Sequence, residues 1–195
     1  MLRIVLFVED EAHEIFIRAL TQRITNEMKV NATLQIRCSR GGIGKVLTTL
    51  GRYIKDIKHG VEPHPDLLIV CTDSNCKGFQ ERKKSIESEL SEYAGAYLCA
   101  VPDPHIERWL LIDSVAFKMA VGKGCPPPPI KCERDLFKKL FIDAIVDAGV
   151  QPQLGGLEYA EDIAQQLDFE RAKTDASLGR FISDLQNRFK YLQNQ

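Results

Sequence analysis

The pattern of hydrophobic and polar positions changes period repeatedly along the first 121 residues. Short apolar runs alternate with longer segments in which hydrophobic residues recur every three or four positions. The short runs are typical of buried strands and the longer segments of amphipathic helices. The predicted strands are residues 2–8, 33–38, 67–71 and 97–101. The predicted helices are residues 12–24, 43–57, 78–93 and 105–121.

This repeated strand–helix order predicts an α/β fold. Strands that are apolar throughout and joined by helices favour a doubly wound, mostly parallel four-stranded sheet with helices on both faces. Such sheets bind their ligands just beyond the carboxyl ends of the strands, where the strand order reverses. The loops that follow the predicted strands are therefore the first place to look for functional residues.

The pattern changes after residue 121. Four successive prolines at 126–129 predict an extended connector, and only helical periodicity follows, at residues 133–148, 158–167 and 177–192. We therefore predict an α/β sheet domain at 1–121, a proline-rich connector at 122–132 and a helical extension at 133–195 that packs on the sheet domain.

Charge changes this picture only locally. The 195 residues contain 26 Lys and Arg against 27 Asp and Glu, so the net charge gives no overall attraction to nucleic acid. Residues 31–60, however, carry six basic residues and the single acid Asp56. This segment is either a solvated helix face or a surface that faces phosphates. Its basic residues are Arg37, Arg40, Lys45, Arg52, Lys55 and Lys58.

Six cysteines raise the question of disulfides or zinc. They lack the paired C-x2-C spacing of zinc sites, and the sequence suggests neither a leader peptide nor a membrane-spanning segment. We therefore expect a cytoplasmic protein with free thiols and no membrane association. The cysteines are Cys38, Cys71, Cys76, Cys99, Cys125 and Cys132.

Acidic residues follow two of the predicted strands. Glu9 comes directly after the first strand, and Asp73 comes shortly after the third. If these strands are neighbours, the two carboxylates meet at one edge of the sheet and favour a bound Mg²⁺ or Mn²⁺. Asp10 and Glu11 are more simply explained as acids in the first turn of a helix.

Two further groups are candidates for the same edge. Arg40, Gly42, Gly44 and Lys45 begin the second helix and would bring backbone amides to a phosphate, although their spacing is not that of a Walker loop. Glu107 lies among apolar residues after the fourth strand, and its burial requires a partner such as a metal or Arg108. The four histidines form no ligand pattern. They are expected to be ordinary surface or packing residues.

These motifs resemble a TOPRIM-like family of uncharacterised bacterial proteins that are often encoded beside ATPases. The resemblance covers most of the chain. The matching segments are Val8-Glu9-Asp10-Glu11-Ala12-His13-Glu14-Ile15-Phe16-Ile17, Arg40-Gly41-Gly42 with Gly44-Lys45, Asp73-Ser74-Asn75, Ile106-Glu107-Arg108-Trp109-Leu110-Leu111-Ile112-Asp113, and Tyr159-Ala160-Glu161-Asp162-Ile163-Ala164 with Leu167-Asp168 and Ala176-Ser177-Leu178-x-Arg180-Phe181.

The resemblance implies magnesium-dependent phosphodiester chemistry on DNA or RNA. TOPRIM domains of topoisomerases, primases and overcoming-lysogenization-defect nucleases carry a Glu after strand one and an Asp-x-Asp after strand three. Glu9 then corresponds to the acid that handles protons or metal, and Asp73 to the first metal-binding aspartate. Asn75 stands in place of the second aspartate, and Asp10 stands where the family has glycine. A partner ATPase is implied in the same way.

Two other interpretations remain open. The segments 4–11 and 65–73 also resemble the opening and the phospho-acceptor strand of a response-regulator receiver, in which Asp73 would be phosphorylated. The receiver's Met-Pro after the acceptor is absent, and so is a later strand that ends in lysine. The other alternative is a TOPRIM-like binding module without catalysis that supports a partner.

Overall fold

The computed structural model describes residues 1–133 and 135–193. Its centre is a sheet of four parallel strands in the order β2-β1-β3-β4. The strands are β1 (Leu2–Val8), β2 (Ala32–Cys38), β3 (Leu67–Cys71) and β4 (Tyr97–Ala100). The α/β class and the four predicted strands are therefore confirmed, and β1 and β3 are neighbours.

Helices connect the strands and continue beyond them. They are α1 (Glu11–Glu27), α2 (Gly42–Lys58), α3 (Gly78–Glu89), α4 (Ile106–Leu110), α5 (Ser114–Val121), α6 (Leu136–Asp147), α7 (Ala160–Gln166), α8 (Phe169–Ala172) and α9 (Ala176–Gln193). A single 3-10 turn, Leu157–Tyr159, precedes α7.

The two inner strands are buried on both faces of the sheet. Along β1, Ile4 and Leu6 point into one core, while Val5 and Phe7 point into the other, and all four are at most 1% exposed. This alternation follows from the pleat, which directs successive side chains to opposite faces. Helices α2 and α3 cover the Val5 face, whereas α1, α4 and the helices after residue 113 cover the Ile4 face.

The C-terminal helices share the larger core with the sheet. Phe141 of α6 and Phe181 of α9 lie in the same apolar cluster as Ile4 and Leu6 of β1. Helix α7 packs on α1, and α9 packs on β4. No fifth strand occurs in the two ranges described. The division of the chain at residues 121 and 132 stays a prediction.

The predicted continuous helix at 105–121 is wrong, because the chain breaks between α4 and α5. The Asp113 carboxylate accepts hydrogen bonds from the backbone amides of Val115 and Ala116, at 3.0 and 3.3 Å, and so caps the start of α5. It also accepts the amide of Asp168 at 2.9 Å, which joins this turn to the start of α8. Helix α8 and the 3-10 turn were not predicted.

The expectation of free thiols is wrong for two cysteines. Cys76 and Cys132 form a disulfide with their Cα atoms 5.7 Å apart, across 56 positions of the chain. The other four cysteines are free. Because disulfides are rare in reducing compartments, the cytoplasmic location stays a prediction. None of the described helices has the length and apolar character needed to cross a membrane.

Candidate active site

Glu9 and Asp73 meet at the carboxyl edge of the sheet. Val8 pairs with Cys71 at the ends of β1 and β3, so the next residues of both strands emerge side by side. The Asp73 amide donates to Glu9 Oε2 at 3.2 Å, and the buried Thr72 hydroxyl donates to the same oxygen. The parallel pairing thus brings together two acids that lie 64 positions apart.

The Asp73 carboxylate is held by two histidines, one on each oxygen. His13 Nε2 lies 3.0 Å from Oδ1, and His105 Nδ1 lies 3.2 Å from Oδ2. His13 is fully buried, and its other ring nitrogen lies 2.7 Å from Asp10 Oδ1. Asp10, His13, Asp73 and His105 therefore form one continuous chain of hydrogen-bonding groups, which we call the Asp73 relay.

The charges of the Asp73 relay stabilise one another. Burial acts to lower the pKa of His13, but the carboxylates of Asp73 and Asp10 outweigh it and raise this pKa well above its usual value. Burial acts to raise the pKa of Asp73, but the two histidines outweigh it and lower this pKa. His13 is therefore a buried imidazolium that donates from both ring nitrogens at neutral pH.

A cavity of about 270 Å³ opens beside the relay. We call it the Asp73 cavity; its lining residues are Asp73, Asn75, His105, Glu107, Asp135 and Lys138. Glu107, predicted to be partly buried here, does reach this cavity. Burial and the nearby Asp73 charge raise the pKa of Glu107. Its predicted partner Arg108 turns away and pairs with Asp175, so Glu107 faces the cavity without that cation.

The glycine segment lies on the other side of Glu9. A Cβ added to Gly42 would lie 3.8 Å from Glu9 Oε1, so the loop before α2 passes directly over this carboxylate. Gly42 has a φ of +74°, which favours glycine. Helix α2 begins without a side-chain cap and with no acid in its first turn. Arg40 and Lys45 are exposed and form no ion pair with the described residues.

The oxygen-rich lining of the Asp73 cavity is of the type that Mg²⁺ prefers. Asp73, Asn75 and Glu107 supply carboxylate and amide oxygens, which suit a hard divalent cation. Within 1–133 and 135–193, however, no three Asp, Glu, His or Cys side chains form a ready-made metal-binding group. A cation here would need water or substrate phosphate as further ligands, as Mg²⁺ commonly does.

The sequence prediction missed the two histidines. His13 was taken for an ordinary residue, yet it lies on the buried face of α1 between Ala12 and Phe16. The available signal was the spacing Asp10-x-x-His13, which places both side chains on one face at the helix start. His105 gave no comparable signal, because its contact with Asp73 depends on the path of the loop after β4.

The chain matches no protein-family model, no curated protein and no solved structure. No family is therefore shown for the chain by sequence or structural similarity. What remains is the geometry of the site and the resemblance of its motifs to TOPRIM-like proteins.

Proposed function

We propose that this chain cleaves phosphodiester bonds in DNA or RNA with the help of Mg²⁺ or Mn²⁺, as a TOPRIM-type nuclease. The observation that carries the proposal is the meeting of Glu9 and Asp73, where the Asp73 amide donates to Glu9 Oε2 at 3.2 Å. Acids from adjacent parallel strands at the carboxyl edge of a sheet are placed where such folds bind ligands.

Asp73, Asn75 and Glu107 are the residues that would hold the cation. When bound, it would supply positive charge that polarises a phosphodiester and stabilises the leaving oxygen. Asn75 offers a neutral oxygen in place of a second carboxylate, which favours one cation over two. His13 and His105 fix both oxygens of Asp73 and so set the direction in which this carboxylate meets a ligand.

Glu9 is placed to move a proton near a bound phosphate. Glu9 Oε2 accepts hydrogen bonds from the Thr72 hydroxyl and the Asp73 amide. Glu9 Oε1 faces the loop that contains Gly42. The uncapped amides of the first turn of α2, with Arg40 and Lys45, attract the phosphate to that loop. A phosphate there lies next to a carboxylate with a free oxygen, which is the arrangement general acid–base catalysis requires.

The test is cleavage of plasmid, single-stranded DNA and RNA in Mg²⁺, Mn²⁺ or EDTA. We expect metal-dependent cleavage that falls by about 10²-fold or more in Glu9→Gln and Asp73→Asn, the size of effect expected from removing such a group. Asp56→Asn, on the far part of α2, is the matched control and should cleave normally. Cleavage that survives EDTA, or both site substitutions, contradicts the proposal.

A binding module without catalysis is the nearest alternative. It predicts that the chain binds nucleic acid without cutting it in any metal. If binding requires a partner ATPase, nucleic-acid binding is observed only when that protein is added. The proposal of an ATPase partner comes from the family resemblance alone.

A receiver-type phospho-acceptor is the second candidate, favoured by one observation. Asp73 lies two residues beyond the end of β3, a central parallel strand, and Lys138 lines the same cavity. This lysine comes from α6, however, and no fifth strand is present in the described part of the chain. Incubation with acetyl phosphate tests the idea, because an acceptor gains one phosphoryl group that Asp73→Asn abolishes. An unchanged mass removes this candidate.

A further inference from the structure

We propose that Cys76 and Cys132 form a reversible thiol–disulfide exchange site that controls access to the Asp73 cavity. The disulfide joins the two chain segments that contribute Asn75 and Asp135 to the lining of this cavity. Cys76 directly follows Asn75 on one wall, and Cys132 lies three positions before Asp135 on the other. The proposal deepens the proposed function, on which only its activity measurement depends.

The connector that carries Cys132 has few other attachments. Among the described residues, the nearest buried ones on either side are Cys125, at 6% exposure, and Phe137, at 0%. Between them, the backbone of residues 126–132 forms no hydrogen bond with described residues outside the connector. Ile130 is 97% exposed, so it adds little packing. Among the described residues, the disulfide is therefore the main attachment of the connector to the loop after β3.

The loop on the other wall is held in an unusual backbone conformation. Asn75 and Cys76 both have positive φ, +48° and +67°. The Asn75 amide donates to Pro104 O at 3.1 Å, which is the one backbone hydrogen bond that Asn75 and Cys76 donate within the described chain. Residues other than glycine adopt this region at an energetic cost, so the loop relaxes more readily when the disulfide is opened.

Both cysteines are exposed, so a reductant can reach them. The co-reactant is a dithiol, either a small molecule or a protein with a Cys-x-x-Cys pair. One of its thiolates attacks a sulfur of the disulfide, breaks the S–S bond and forms a mixed disulfide; its second thiol then displaces the protein thiol. The protein gains two electrons and two protons, and the dithiol leaves as a disulfide. An oxidised dithiol reverses the step.

Opening the disulfide separates the two walls and admits a polymer to the cavity. In the oxidised form the cavity holds only about 270 Å³, and the disulfide ties together the segments that carry Asn75 and Asp135. A nucleic-acid chain that must bring a phosphate to Asp73 needs this rim open. The reduced protein is therefore the accessible form, and oxidation closes it.

Amide hydrogen exchange on the intact protein tests the proposal without reference to activity. Dithiothreitol should add two alkylatable thiols per chain and quicken exchange at the hydrogen-bonded amides of Ser74, Asn75 and Lys77 about tenfold or more, while β3 exchanges as before. Cys132→Ser should exchange rapidly without reductant, and Cys76→Ala provides a second variant from the other wall. Cys38→Ser, which removes a thiol outside the disulfide, should behave as the unsubstituted chain.

Equal exchange in the oxidised and reduced proteins would overturn the switch. So would the finding that all six cysteines alkylate after treatment with oxidised dithiothreitol. In the activity measurement, reduction should raise metal-dependent cleavage about fivefold, and Cys132→Ser should show the raised level without reductant. Absent cleavage with a clear exchange difference would remove the nuclease proposal and leave the switch standing.

Discussion

The two oxygens of the Glu9 carboxylate face regions of opposite character. Oε2 faces a buried network in which Thr72, Asp73 and the histidines satisfy one another. Oε1 faces an exposed glycine loop whose cations have no described partner. Burying a charge costs free energy unless the charge is paired, whereas an exposed charge is solvated by water and can bind a ligand. The first region therefore stabilises the fold and orients Asp73, whereas the second is the region to which our proposal assigns the phosphate.

Removing the imidazolium at the centre of the buried region should have the largest effect. His13→Ala leaves Asp73 and Asp10 without their shared cation and should lower the free energy of unfolding by about 3–5 kcal/mol, as for other broken buried ion pairs. Urea denaturation measures this. His59→Ala, an exposed histidine after α2, should change the value by less than about 0.5 kcal/mol. A loss below about 1 kcal/mol in His13→Ala would contradict the assigned charge.

Opening the disulfide should have the next largest effect. The crosslink closes a segment of 56 positions, so reduction should lower the free energy of unfolding by about 2–4 kcal/mol through the entropy of the unfolded chain. Thermal unfolding with and without dithiothreitol measures it. Cys132→Ser should remove the dependence on reductant; if the dependence survives this substitution, another cause is acting.

The buried region should also make stability depend on pH in the metal-free protein. His13 has a raised pKa in the fold, so its contribution is full below its unfolded pKa of about 6.5 and is lost as the pH rises through the folded value. Asp73 has a lowered pKa, so its contribution is present above about 3.9 and is lost as the pH falls through the folded value.

Together these shifts place the stability maximum on the weakly acidic side of neutrality. Above it, the free energy of unfolding should decline with a slope of at most about 1.4 kcal/mol per pH unit for each of the two histidines whose pKa the fold raises, His13 and His105. Urea denaturation at a series of pH values in EDTA measures this slope. His13→Gln should make the decline of unfolding free energy with pH shallower on the alkaline side of the maximum. A wild-type curve that already matches the variant would show that His13 carries no extra proton.

Two glycines at the start of α2, Gly42 and Gly44, should respond in opposite directions to replacement by alanine. Gly42→Ala places a Cβ at φ +74° and should cost about 1–2 kcal/mol of unfolding free energy. Gly44→Ala meets open space inside α2 and should instead stabilise by about 0.5–1 kcal/mol. Chemical denaturation of the two variants gives the signs. Equal effects at both positions would contradict the loop conformation described here.

The exposed cations should affect binding and leave stability unchanged. Arg40→Gln and Lys45→Gln should shift the free energy of unfolding by less than about 0.5 kcal/mol. In EDTA, each should reduce the slope of log affinity for single-stranded DNA against log salt by about one, because one phosphate contact is lost. Fluorescence anisotropy measures the slope. Lys29→Gln, exposed at the opposite end of the sheet, is the control; an equal change there would rule out a local phosphate site.

The sequence predicted the elements that depend on periodicity. The position of β1 and β3 follows from their apolar runs, because residues 4–8 of β1 and 67–71 of β3 are buried on both faces of the sheet and include no polar side chain. The break at Asp113 was missed because its apolar neighbours continue the helical spacing. The carboxylate caps α5 locally through Oδ1, and its Oδ2 accepts the distant Asp168 amide. Periodicity therefore predicts the helical segment, but it does not locate the cap that divides it.

The candidate site was predictable where it depends on the pairing of neighbouring strands. Glu9 and Asp73 could be paired in advance, because parallel strands bring their carboxyl ends together. His13 could have been linked to Asp10 by the spacing Asp10-x-x-His13. His105 could not have been linked to Asp73, since it reaches Asp73 through a loop that has no periodic signal. The disulfide was equally hidden, because Cys76 and Cys132 lie far apart in the chain and neither belongs to a recognisable spacing.

Helix α4, which presents Glu107 to the cavity, is fastened to the far C-terminal end of the chain. Trp109 is fully buried between Phe16 and Phe181, and its indole donates to Ser177 Oγ at 2.7 Å. A fragment that stops after α5 would leave this indole in water and its neighbouring carboxylate without a fixed direction. Shortening the protein to its sheet would thus also disturb one wall of the candidate site, so the last helix must be retained in any minimal version.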